Sequence, residues 1–71
     1  MGAYLNEIRK DLYETFKKEN LTKEQFLKSW KIQKIAQKLY EEIDVASYGI
    51  SFEDFLKDEY YSIITDKNYV V

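Results

Sequence analysis

Apolar residues recur along the first third of the chain at Leu5, Ile8, Leu12 and Phe16, spaced i, i+3, i+7 and i+11. That spacing draws one stripe along a helix and predicts an amphipathic helix over residues 3–19. Asn20 is its expected stop, since asparagine tolerates the left-handed conformation at a helix end. Thr22 and Gln25 then stand three apart, the pattern of a capping box. A second helix is predicted over 23–43. Its core stripe is Ile32, Ile35, Ala36, Leu39 and Ile43, with a second apolar strip of Phe26, Trp30 and Tyr40 beside it. Lys31, Lys34 and Lys38 take the opposite side. Two strips cover more than half the circumference, and a helix so broadly apolar packs against two neighbours, one of which could belong to another chain.

Asp44 to Ile50 interrupts the pattern, with Gly49 as its pivot. Ser51 restarts it as an N-cap followed by Glu53 and Asp54, which suit the positive end of a helix dipole. Phe52, Phe55, Leu56, Tyr60 and Ile63 share a face and predict a third helix over 52–65. Tyr69-Val70-Val71 is β-prone but too short to form an element by itself. The expected fold is all-α: a single domain over 1–71, a small three-helix bundle around a long central helix. The alternative is a helical hairpin whose third helix docks in a dimer.

Composition strengthens the apolar side of this picture. Among 71 residues there are twelve aromatics: Trp30, seven tyrosines and four phenylalanines. A chain of this length buries only about 60% of its unfolded surface, so the aromatics exceed what its core comfortably hides. Trp and Tyr are favoured at the energetic centres of protein interfaces. Phe26, Trp30 and Tyr40 are the first candidates for a partner-binding face, followed by Tyr60 and Tyr61. No cysteine is present, which excludes disulfides and thiolate metal sites and favours a cytoplasmic setting. No apolar run approaches the length of a membrane span, so no membrane partner is expected.

Charge is unevenly placed. Residues 1–38 carry nine basic and five acidic side chains, and residues 39–71 carry two basic and eight acidic ones. Either the two halves attract each other within the fold, or one of them faces a partner. Lys28, Lys31, Lys34 and Lys38 form the candidate nucleic-acid face. Lysine suits contact with phosphate, but base reading favours arginine, and the chain has one. The acidic half, with Glu53, Asp54, Asp58 and Glu59 close together, would instead suit a basic partner.

Two motif resemblances fail on chemistry. Leu39–Leu56 resembles an EF-hand, with Asp44 at loop position 1 and Gly49 at 6. Positions 3, 5 and 12 would then be Ala46, Tyr48 and Phe55, which bring no carboxylates. The same segment laid on a DNA-binding helix-turn-helix would turn Glu53, Asp54, Asp58 and Glu59 towards phosphate. There is no histidine, no nucleophile motif and no Gly-rich phosphate loop. No enzymatic activity, metal or cofactor is expected. The expected function is that of a protein-interaction module or small regulator or inhibitor, with another protein or a second copy of the chain as partner. The alternative is an accessory nucleic-acid-binding protein using the lysine side of the central helix.

Overall fold

The first apolar stripe becomes α1, Gly2–Lys18, in a computed structural model that describes residues 2–69. Ile8, Leu12 and Phe16 are buried along it. Asn20 ends the helix with φ of 50°. The Leu21 amide donates to the Phe16 carbonyl and the Asn20 amide to that of Lys17. Those two bonds make a Schellman closure with asparagine in the left-handed position, and Leu21 packs on the core behind it.

Thr22 opens α2, Lys23–Lys28, with the expected reciprocal cap. The Gln25 amide donates to Thr22 Oγ1 at 3.2 Å, and the Thr22 amide to Gln25 Oε1 at 2.9 Å. The predicted long helix is not continuous. Ser29 takes an extended conformation (φ −67°, ψ 124°), and α3 runs separately over Trp30–Ile43. Ser29 Oγ accepts from the Ile32 amide, so one serine ends one helix and caps the next. Gln33 Nε2 donates to the Leu27 carbonyl at 2.9 Å and satisfies a group left over at the end of α2. The physical reason is geometric. In a straight helix Phe26 and Ile32 would point about 120° apart. With the break, both are fully buried in the same core.

α3 ends at Asp44, whose φ is 58°. A 3-10 turn over Val45–Tyr48 follows, with Val45 buried. Gly49 then reverses the chain at φ of 77°. Tyr40 reaches across the reversal, its hydroxyl donating to the Ile50 carbonyl at 2.6 Å. Ser51 caps α4, Phe52–Thr65, by accepting from the Asp54 amide. The described chain is thus all-α, with four α-helices where three were expected.

The core has two linked parts. Leu12, Phe16, Phe26, Ile32, Ala36, Leu56, Ile63 and Tyr69 form one. Ile8, Leu39, Val45 and Phe55 form the other, and Ile35 and Phe52 pack against both. The rings of Phe16, Phe26 and Tyr60 meet at 5.4–5.8 Å in edge-on and tilted contacts, geometry favoured by the aromatic quadrupole.

Beyond α4, Asp66 organises a turn: its carboxylate accepts from the Asn68 amide and its carbonyl from that of Tyr69. Tyr69 belongs to this turn and folds its ring back into the core, while Val70 and Val71 lie outside the described residues. The Tyr69 hydroxyl donates to Glu59 Oε2 at 2.6 Å. Glu59 is 8% exposed, the one buried charged residue of those described. Burial lifts its pKa above the usual carboxylate range, against the opposing effects of the Tyr69 hydrogen bond and the Arg9 charge. Burial and the Glu59 charge likewise hold the Tyr69 phenol protonated as the donor.

Two consequences are measurable. Phe26→Ala should lower unfolding stability by about 3–5 kcal/mol, a large share of what so small a domain has; urea denaturation followed by circular dichroism reads it. Glu59 gives a pH signature. Its folded pKa is raised, so the native state holds the proton to higher pH than the unfolded chain. Stability therefore falls as pH rises from the ordinary glutamate range through the raised value. Glu59→Gln should match the parent at low pH and exceed it increasingly towards neutrality. A stability difference that does not change with pH would exclude the effect. Tyr69→Phe, which leaves the carboxylate without its donor, should cost about 1–3 kcal/mol at neutral pH.

Candidate interaction surface

The break at Ser29 turns the aromatic strip into residues with different fates. Phe26 lies on the inner face of α2 and is fully buried, so it has no surface to offer a partner. Tyr40 is half-buried, its ring against Phe52 and Phe55 at 5.5 and 5.4 Å and its hydroxyl on the Ile50 carbonyl. It closes the reversal between α3 and α4. Tyr60 is half-buried in the ring cluster with Phe16 and Phe26.

Trp30 and Tyr61 remain outside. Tyr61 is half-exposed on α4, and Lys23 Nζ donates to its hydroxyl at 2.9 Å. That hydrogen bond, and then the lysine charge, lower the phenol's pKa. Trp30 is the first residue of α3 and is 68% exposed. Lys34, one turn on, sets its ammonium 4.3 Å from the ring centroid, a cation–π contact that steadies both side chains.

A groove lies where the α2–α3 break meets the start of α4, and Trp30 is not among the residues that line it. Leu27, Phe52 and Leu56 supply its apolar lining, and Lys28, Gln33 and Glu53 its polar lining. Its volume is about 410 Å³. Leu27 and Phe52 are only half-buried there, so the floor is open to a visiting side chain. The apolar periodicity gives no sign of this groove, which depends on how the end of α2 meets α4. Tyr48, 74% exposed, was missed as well; its place directly before Gly49, at a chain reversal, is the signal that marks it as an outward residue.

The four lysines do not make one free field. Lys28 is on α2, paired with Glu24 at 3.0 Å, and Lys31 pairs with Glu19 at 3.2 Å. Lys34 lies on Trp30. Lys38 borders a small cleft between α1 and α3 with Tyr4, Glu7 and Asp11. In the acidic half, Lys57 lies 3.6 Å from Glu53. Among the described residues no ion pair joins residues 1–38 to residues 39–69. The expected internal attraction between the halves is thus not made through direct ion pairs.

No described helix is long and apolar enough to cross a membrane. No protein-family model, curated protein or solved structure matches the chain.

Proposed function

We propose that this chain is a non-enzymatic protein-interaction module whose central contact residue is Trp30. The observation that carries this reading is the exposure of the only tryptophan, at the start of a capped helix. Tryptophan in such a setting is the residue type that dominates binding energy at interfaces. Lys34 lies over its ring, a contact that restrains the side chain and lowers the ordering cost of binding. A role as regulator or inhibitor would act through this same contact. The nucleic-acid alternative draws less support. Two of its four lysines sit against glutamates, which reduces the field a phosphate backbone would meet.

The test separates folding from contact. Trp30→Ala should cost less than about 1 kcal/mol of stability, the value of an exposed residue and its cation–π partner. A photo-crosslinking phenylalanine analogue at position 30, in the cell that makes the chain, should give one discrete protein adduct. The same analogue at Lys10, exposed on α1, should not. A Trp30→Ala chain that unfolds, or adducts that do not depend on position, would reject the assignment.

A further inference from the structure

We propose that the turn Asp66–Tyr69 is a releasable clasp, seated over the seam between α1 and α4 by the Tyr69–Glu59 hydrogen bond and freed when Glu59 ionises.

One side chain holds this turn to the helices. Asp66, Lys67 and Asn68 are exposed, and Tyr69 alone is buried. The Asn68 amide bond to the Asp66 carboxylate and the Tyr69 amide bond to the Asp66 carbonyl both close within the turn. Among the described residues, the Tyr69 hydroxyl on Glu59, at 2.6 Å, makes the one hydrogen bond from residues 67–69 to a helix.

Tyr69 also covers a junction that the helices do not close themselves. α1 packs on α3, and α4 packs on α2 and α3, whereas α1 and α4 are not a closely packed pair. Two clefts of about 360 and 230 Å³ flank the turn, and Tyr69 lines both. Tyr13 of α1 and Ile63 of α4 line the first, and Arg9 of α1 and Glu59 of α4 the second. The Tyr69 ring is thus a wall between two openings on one seam. Withdrawing it joins them, uncovers apolar surface at Ile63 and lets water reach Glu59.

Glu59 decides whether the ring stays. The charged and titratable groups around it come from three elements. Arg9 on α1 favours its ionised form, Asp58 on α4 opposes it, and Tyr69 of the turn donates to it, with Asp66 lining the same cleft. Arg9 makes no ion pair with it among the described residues. Burial outweighs the groups that favour ionisation, so the seated carboxyl keeps its proton to higher pH. A released turn hydrates the carboxyl and returns it to the ordinary glutamate range. The proton is therefore held more tightly in the seated state, and rising pH favours release. Between the ordinary range and the raised value, the ratio of released to seated turn should grow by up to about tenfold per pH unit.

Nuclear magnetic resonance of the full chain with labelled tyrosine rings, from about pH 4.5 to 8, tests this, with Tyr69 assigned through Tyr69→Phe. At the acid end the Tyr69 ring should show cross-relaxation with core methyl groups. These contacts should fade as pH rises, while the Phe16–Phe26 contact and the helical circular dichroism persist. Glu59→Gln keeps an acceptor for the phenol but does not titrate, and should hold the turn seated throughout. Arg9→Gln should raise the released-to-seated ratio at neutral pH by about threefold or more. A ring that stays seated to the alkaline end overturns the clasp, as does one that is unseated at every pH. Loss of the ring contacts together with the helices overturns it too, because that is global unfolding. Release in Glu59→Gln that matches the parent overturns the gating. Should that variant fail to fold, Arg9→Gln decides, and release unchanged from the parent overturns the gating there.

Discussion

Ser29 holds two helix ends at once, and much of the molecule's arrangement hangs on that. Its extended backbone stops α2, and its hydroxyl takes the orphan amide of Ile32. Without the change of direction, Phe26 and Ile32 would diverge around a straight helix, and one of them would lose its place inside. The break brings both into the core, next to Leu12, Phe16 and Leu56. It also turns Trp30 outward and leaves a groove over Leu27. The polar account closes because Gln33 reaches back to the Leu27 carbonyl, so the break carries no unsatisfied carbonyl at that point. A helix interruption is cheap when its loose ends are taken by side chains already present.

Local chemistry was the most legible part of the sequence. Asn20, the Thr22–Gln25 box, Gly49 and the Ser51 cap all occupy the positions their side chains or φ requirements indicated. Each is decided within a few residues, where competing tertiary forces have little say. The stripes Ile8–Leu12–Phe16 and Ile32–Ala36–Leu39 also lie inside. Ser29 was harder. A serine inside an apolar-periodic stretch reads as an ordinary surface position, since its cap lacks the reciprocal Gln or Glu that marks Thr22. The clue was the excess itself: an apolar sector wider than half a helix is also the signature of two helices with different inner faces. Tyr40 and Tyr60 are half-buried for a related reason. An aromatic can lie flank-on in a core and still keep its hydroxyl near solvent, and periodicity does not separate that from exposure. The groove depends on how α2 and α4 meet, a long-range relation that periodicity does not encode.

Polar groups divide into those that close the fold and those that remain at its surface. Tyr40 ties the α3–α4 reversal, and Tyr69 ties the chain after α4 to Glu59. Both use a phenol whose ring adds apolar burial to the hydrogen bond, an efficient device where the core is small. Two of the three surface ion pairs join residues four apart on one helix, and the third joins Lys31 to Glu19. Exposed pairs of this kind contribute little to stability. The two halves meet electrostatically at Glu59, which is buried on α4 and feels the Arg9 charge of α1; the other charges of both halves lie at the surface.

Trp30 brings these lines together. The core is filled without it: Phe16, Phe26 and Tyr60 already pack ring against ring. Lys34 lies over the indole, which leaves much of the ring in water. Leaving so large an apolar side chain exposed forgoes about 1.5–3 kcal/mol that burial would supply. The cap at Ser29 fixes where the ring begins, and the ammonium above it restrains where it points. The side chain is placed closely by folding while most of its ring stays uncovered. A surface that covered the ring would have to take up the Lys34 ammonium as well, a double requirement that distinguishes a selective contact from a merely apolar one.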